Sequence, residues 1–237
     1  MPKARFNTLV SWSFSVYQQY LKCPLSVCFN KIQRIRIREE EKAPALVRGD
    51  MVHTAADTFI GTSGTPKIIP ELASVKPMLT MLRKAKARTE QEWAFTREWA
   101  PTGWFDKDAW LRVKTDACAD TKEPPTVLIV DWKTGKMHSE HRQQRSLYAL
   151  GGLQLVQIGA LAGGSKKTVL TAQHVYTDTG QSATEEFTPK HLAPLKREWL
   201  ARIKEMMADT QFPAITGRHC EWCKYAKSKG GPCPEKM

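Results

Sequence analysis

Two side chains spaced for chemistry end an apolar run. In VLIVDWKTGK, Val127 to Lys136, four aliphatic residues read as a buried strand and lead into Asp131 and Lys133. Side chains two apart on a strand point to the same side, so a carboxylate and an ammonium project together, with Gly135 free to turn the chain away. A carboxylate there needs a partner or a cation to offset its desolvation. The pair is therefore either an ordinary ion pair at a strand end or an acceptor for a metal ion beside a fixed positive charge. A second set is made of sulfur. Cys220 and Cys223 form a C-x-x-C in HCEWCKYAKSKGGPCPEK, Cys233 follows before Pro234, and Cys23 in YLKCP can supply the fourth ligand that a tetrahedral thiolate site requires.

These residues sit in a chain of 237 with 41% hydrophobic and 25% charged residues, the composition of a soluble globular protein. No stretch approaches the ~18 apolar residues of a membrane span, and MPKARFNTLV lacks the apolar core of a signal peptide. A cytoplasmic protein is expected, and six cysteines there point to metal or cluster ligation before disulfides. Lys plus Arg number 36 against 24 Asp plus Glu, a formal charge of +12 that favours a polyanionic partner such as nucleic acid. The basic runs are Lys31 to Arg38 and Arg83 to Arg88; a solvated helix face is the other reading of each.

The positioning elements follow from periodicity. Ser15 with Gln18 fits a capping box for a first helix whose stripe is Val16, Tyr17, Tyr20 and Leu21. Pro24 ends it and can open a second, holding Cys28 and Phe29. After the acidic run Glu39 to Glu41, residues 48–60 read as a helix burying Val52, Ala55, Ala56 and Phe59. Gly49 lies one turn from His53 on the same face. Leu72 to Leu82 is helical but broken by Pro77. Alternation then predicts strands over residues 92–99, 109–118 and 127–133, with PTGWFDKD as a turn and ADTKEPP as a loop. A helix from Ser139 buries Leu147, Leu150, Leu153, Val156, Ile158 and Leu161 and sets Gln144 and Tyr148 on one face. Strands follow over 167–177 and 181–188, then a helix from Pro189 with the stripe Leu192, Leu195, Trp199, Ile203 and Met206. The last thirty or so residues have no period and read as a ligand-tied tail, while Cys118 reads as a core residue.

The order helix, three strands, helix, strand resembles the core of the PD-(D/E)XK nuclease superfamily, and the motifs resemble its RecB-type branch. Gly49 and His53 match its G-x-x-x-H; Asp116 matches the acidic residue of the second strand; Asp131 and Lys133 match D-x-K; Gln144 and Tyr148 match Q-x-x-x-Y. The resemblance implies an α/β fold with a mixed sheet and a Mg2+- or Mn2+-dependent DNA nuclease. Hydrolysis of a phosphodiester needs charge neutralised on the phosphate and an activated water, which a divalent ion on oxygen ligands supplies. Asp116, Asp131 and the carbonyl of Trp132 are the expected ligands, and His53 an additional one. Lys133 would position or help deprotonate the water, and Gln144 with Tyr148 would hold Lys133 or the scissile strand. The family often places another acid on the first strand; Glu92 is the candidate, with Glu98 as alternative.

The cysteines are similar to those of the iron-sulfur members of that branch, which include AddB recombination nucleases and CRISPR adaptation exonucleases: one cysteine before the core, here Cys23, and three after it, here Cys220, Cys223 and Cys233. The resemblance implies a structural [4Fe-4S] cluster. The gap from Cys223 to Cys233 is longer than the family's, which leaves zinc open, with Cys28 or His219 as substitutes. The expected organisation is an N-terminal helical segment (1–47), a nuclease core (48–208) and a C-terminal cysteine module (209–237). The expected activity is a DNA exonuclease acting on linear, single-stranded or frayed ends, of prokaryotic or phage origin. Alternatives are a trimming subunit with recombination, helicase or CRISPR-adaptation partners, and a non-catalytic DNA-binding module.

Overall fold

The computed structural model describes residues 8–37, 43–64 and 66–235. Arg38 of the first basic run and Glu39 to Glu41 lie outside the described residues. In chain order the helices are α1 (Phe14–Lys22), α2 (Pro24–Val27, continuing as a π-helical turn Cys28–Ile32), α3 (Pro44–Gly61), α4 (Lys76–Lys84), α5 (Glu140–Gln157) and α6 (Leu192–Ala208). The strands are β1 (Arg88–Phe95), β2 (Pro101–Thr102), β3 (Leu111–Lys122), β4 (Pro125–Lys133), β5 (Val169–Tyr176) and β6 (Ser182–Phe187). The chain divides into two compact units, Ala43–Glu198 and a second made of Met1–Lys42 with Trp199–Met237.

The first unit carries one six-stranded mixed sheet in the order β2-β1-β3-β4-β5-β6. Every neighbouring pair is antiparallel except β4 and β5, which run parallel, as they must when α5 carries the chain from one to the other. The expected α/β fold with a mixed sheet is the one observed. On one face, Val52, Ala56 and Phe59 of α3 and Leu79 and Leu82 of α4 pack on Ala117, Val130, Trp132 and Val175. On the other, α5 approaches so closely that a Cβ on Gly152 would lie 2.6 Å from Leu170 Cδ1 and 3.0 Å from Ile129 Cδ1.

The sheet slips out of strict alternation in β1 and β3. Val113 faces α5, 3.6 Å from where a Cβ on Gly151 would stand, yet Ala117, four residues on, packs in the core beneath α3 and α4. A regular strand keeps such residues on one face. Between them the β1–β3 ladder runs from Gln91↔Thr115 to Thr89↔Ala117 and omits Glu90 and Asp116. Glu90 is the cause: its φ is +48°, a left-handed conformation that costs a residue with a Cβ about 1–2 kcal/mol.

Several boundaries differ from the sequence reading. Pro44 starts α3 a turn earlier than residue 48, at a position where its missing N–H is harmless. The break at Pro77 falls before Lys76, where a 3-10 turn gives way to α4 with Pro77 in its first turn. β1 ends at Phe95, so Glu98 lies in the following turn and not on the strand. The expected loop over 119–125 is mostly a tight hairpin of β3 and β4. Ile158, beyond the end of α5, is 51% exposed instead of core.

In the second unit α1 is capped by Ser13, whose hydroxyl accepts from Val16 N; Ser15 is already in the first turn. Trp12 stacks on Trp199 at 5.6 Å between ring centroids, and Phe14 and Tyr17 meet Trp199 edge-on. Leu21, expected in the α1 stripe, is 52% exposed.

Candidate active site

The site begins where two strands part. β3 pairs with β4 as far as Ala117↔Val130, after which β4 continues beside β5 alone, through Asp131↔His174, Trp132↔Val175 and Lys133↔Tyr176. Asp116 and Asp131 are the first residues beyond the last β3–β4 pair. The freed N–H of Trp132 is not left unbonded: it donates to Asp116 Oδ2 at 2.6 Å, so the carboxylate replaces the missing ladder partner.

Asp116 Oδ1 lies 3.2 Å from His53 Nδ1 of α3. Glu90, directly across from Asp116 where the ladder is interrupted, completes a group. One donor atom each from His53, Glu90 and Asp116 lie within 4.8 Å of one another, and Glu90 is ion-paired with Lys114. They line an open cleft of about 770 Å3 with Gly49 and Thr134. Among the described residues, a Cβ on Gly49 would come within 4 Å of Thr134 Oγ1 alone, at 3.8 Å.

Asp131 is buried and held from several sides. Its Oδ1 accepts from Tyr148 OH and, at 3.4 Å, from Gln144 Nε2, which also donates to Tyr148 OH at 2.6 Å. Oδ2 lies 2.6 Å from Lys133 Nζ and 3.6 Å from His174 Nε2. Gln144 and Tyr148 therefore hold Asp131, where the expected partner was Lys133 or the scissile strand. The electrostatics divide the two aspartates. Burial raises the Asp116 carboxyl, the nearby Asp131 charge adds to this, and His53 only partly offsets it. Burial acts the same way on Asp131, but the Lys133 charge and the hydrogen bonds from Lys133 and Tyr148 outweigh it and hold it below the ordinary value. For His53, burial opposes the charge, yet Asp116 prevails and raises it. Two carboxylates that repel across a strand fork are a setting that a cation relieves.

Of the residues expected from sequence, His53, Asp116, Asp131, Lys133, Gln144 and Tyr148 come together. Glu92 does not join them: it is exposed, opposite Lys114, and Glu90 occupies the place it was expected to fill. The only sequence signal for Glu90 was its position two residues from Glu92. His174 and Arg145 were also missed; a histidine amid the apolar residues of a strand and an arginine between Gln144 and Tyr148 were the available signs. His174 is fully buried, and that burial pushes its pKa down to about 3, so it is neutral.

The comparisons with known proteins bear on this geometry. The family model of the PD-(D/E)XK nuclease superfamily matches residues 11–228. The chain belongs to that superfamily. It is thus a metal-dependent nuclease, with DNA as its substrate. No curated protein matches it in sequence. The solved structure described as "Crystal structure of SSO0001" superposes with a TM-score of 0.42 at 16% identity, covering 97% of this chain and 88% of that one.

The donor set of this nuclease fits a divalent ion. Carboxylate oxygens suit magnesium or manganese, the imidazole nitrogen tilts the set towards manganese, and the three donors already converge. No helix among the described residues is long and apolar enough to cross a membrane. In the second unit, Cys23, Cys220, Cys223 and Cys233 line one cavity of about 360 Å3, with His219 also on its wall. Burial raises the Cys223 thiol, and the other three cysteines add to the effect. Cys28 does not line this cavity; its sulfur accepts from Gln33 Nε2. Among the described residues no three cysteine sulfurs lie within 4.8 Å of one another.

Proposed function

We propose that this nuclease is an exonuclease of the RecB type, hydrolysing phosphodiester bonds from the ends of linear DNA with Mg2+ or Mn2+. The observation that carries the reading is the strand fork, which sets the His53, Glu90 and Asp116 donors beside the Asp131–Lys133 pair. In this reading His53, Glu90, Asp116, Asp131 and the carbonyl of Trp132 are the metal's ligands. The bound ion would neutralise the phosphate and lower the pKa of a water. Lys133 holds that water in line and offsets the charge that builds on the phosphorus oxygens. Tyr148 and Gln144 fix the rotamer of Asp131, so that its other oxygen Oδ2 stays beside Lys133.

The test is digestion of end-labelled linear DNA against covalently closed single-stranded circles. Metal-dependent loss of the linear substrate with intact circles is expected, and Asp116→Ala or Lys133→Ala should lower the rate at least about 100-fold. Cutting of the circles would rule out an exonuclease, and full activity in either variant would remove the site.

The four cysteines are proposed to hold a [4Fe-4S] cluster. Thiolates on a single zinc stand about 3.8 Å apart, given a Zn–S bond of ~2.3 Å. A cluster, whose thiolates stand farther apart than those of one zinc, is supported by the four cysteines all lining one cavity of about 360 Å3. Anaerobically purified protein should be brown and contain iron and sulfide, and Cys223→Ala should lose both. Colourless protein with one zinc per chain would replace the cluster by zinc.

A further inference from the structure

One buried pair near the fork is complementary and unmade. His174 Nε2 and Asp131 Oδ2 are both buried and face each other at 3.6 Å; Nε2 has no hydrogen-bond partner, while Oδ2 also lies 2.6 Å from Lys133 Nζ. Whether that pair attracts depends on where the His174 proton resides. Arg145 decides it. This arginine is only 9% exposed, its NH1 lies 3.2 Å from His174 Nδ1, and its Nε is 3.5 Å from Glu185 Oε2 on β6. A guanidinium can only donate, so Nδ1 must be the unprotonated nitrogen and the single ring proton must sit on Nε2. That proton points at Asp131 Oδ2.

We propose that His174 is a positioning residue, donating its Nε2–H to Oδ2 of the carboxylate whose other oxygen is held by Tyr148 and Gln144. The consequence is a clamp: Oδ1 is fixed from α5, Oδ2 from β5, and Asp131 keeps the orientation in which it faces Lys133. A separation of 3.6 Å is too long for a formed bond, but hydrogen bonds of catalytic groups are often loose before ligand binds and tighten in the working complex. The order of influence runs from Glu185 through Arg145, which sets the tautomer, to His174, which sets the carboxylate. Residues in that outer position typically change metal affinity or activity 10–100-fold. The inference rests on the nuclease reading above for its effect on catalysis, but the tautomer is independent of it.

Two measurements test it. In full-length protein labelled with 15N-histidine, the His174 ring should show a protonated Nε2 and an unprotonated Nδ1; the opposite tautomer would overturn the proposal whether or not the protein cleaves DNA. In cleavage assays with Mn2+, His174→Phe keeps a ring but no donor and should lower kcat about 10–100-fold with little change in KM for DNA. His174→Gln, whose amide nitrogen can reach the Nε2 position, should recover most of the loss and require less Mn2+ for half-maximal rate than His174→Phe. Wild-type kcat in His174→Phe, or a Gln variant no better than the Phe one at equal thermal stability, would also overturn it. Wild-type protein that cleaves no DNA would instead defeat the nuclease reading and leave the tautomer measurement to decide.

Discussion

Glu90 shows how a single backbone conformation selects a functional side chain. Glu90 and Glu92 share chemistry and strand parity, yet Glu90 alone joins His53 and Asp116, because its φ of +48° breaks the ladder opposite Asp116. Non-glycine residues are held in that region when the surroundings over-determine them, and such residues cluster at functional sites. Glu90→Gln should therefore weaken Mn2+ binding about tenfold, measured by calorimetry, and slow cleavage in proportion. Glu92→Gln should stay within about twofold of wild type; the reverse ranking would show that the strand is read in the wrong register. At the same scale, the Q-x-x-x-Y spacing puts Gln144 and Tyr148 on one face but does not say what they hold. A Q-x-x-x-Y spacing states that two side chains share a helix face, and only the packing of α5 on β4 aims them at Asp131.

At the scale of elements, close backbone approach and hydrogen-bonded turns place the cysteine-bearing segments. Gly231 passes so near Tyr225 that a Cβ would lie 2.3 Å from its carbonyl carbon and oxygen, and Cys233 N donates to the same Tyr225 carbonyl at 3.0 Å. Backbone cannot yield as a side chain can, so Gly231→Ala should destabilise the protein by about 2 kcal/mol or more and reduce occupancy of the cysteine site. An unchanged melting temperature with full metal content would contradict this. Past the end of α6, Asp209 accepts from Tyr20 OH at 2.8 Å and from the backbone N–H groups of Gln211 and Phe212. Burial would raise its carboxyl, but these donors outweigh it and hold it below the ordinary 3.8. A lowered folded value means that the unfolded chain binds the proton more readily, so the stabilisation is complete above pH ~4 and is lost as pH falls through the folded value. Asp209→Asn should thus cost about 1 kcal/mol at pH 7 and less at pH 3; an equal cost at both would rule out the carboxylate as its source.

At the scale of the whole molecule, the formal charge of +12 predicts that DNA binding, measured without metal, weakens at least about tenfold between 50 and 200 mM salt. Salt-independent binding would mean that contacts other than phosphate neutralisation dominate. The sequence by itself determined the order of helices and strands and the D-x-K that ends an apolar strand, because periodicity and side-chain chemistry are local properties of the chain; the mixed sheet was expected only through the resemblance those motifs carry. It determined also that four cysteines stand in two distant groups. Three features were decided only by the tertiary structure: the fork that leaves Asp116 and Asp131 as the first residues past the last β3–β4 pair, the preference for Glu90 over Glu92, and the Arg145–His174 pair behind Asp131. The physical reason is common to all three. A period of two assigns side chains to faces, but where a ladder splits, where a residue takes a left-handed φ, and which buried donors meet depend on strands far apart in sequence.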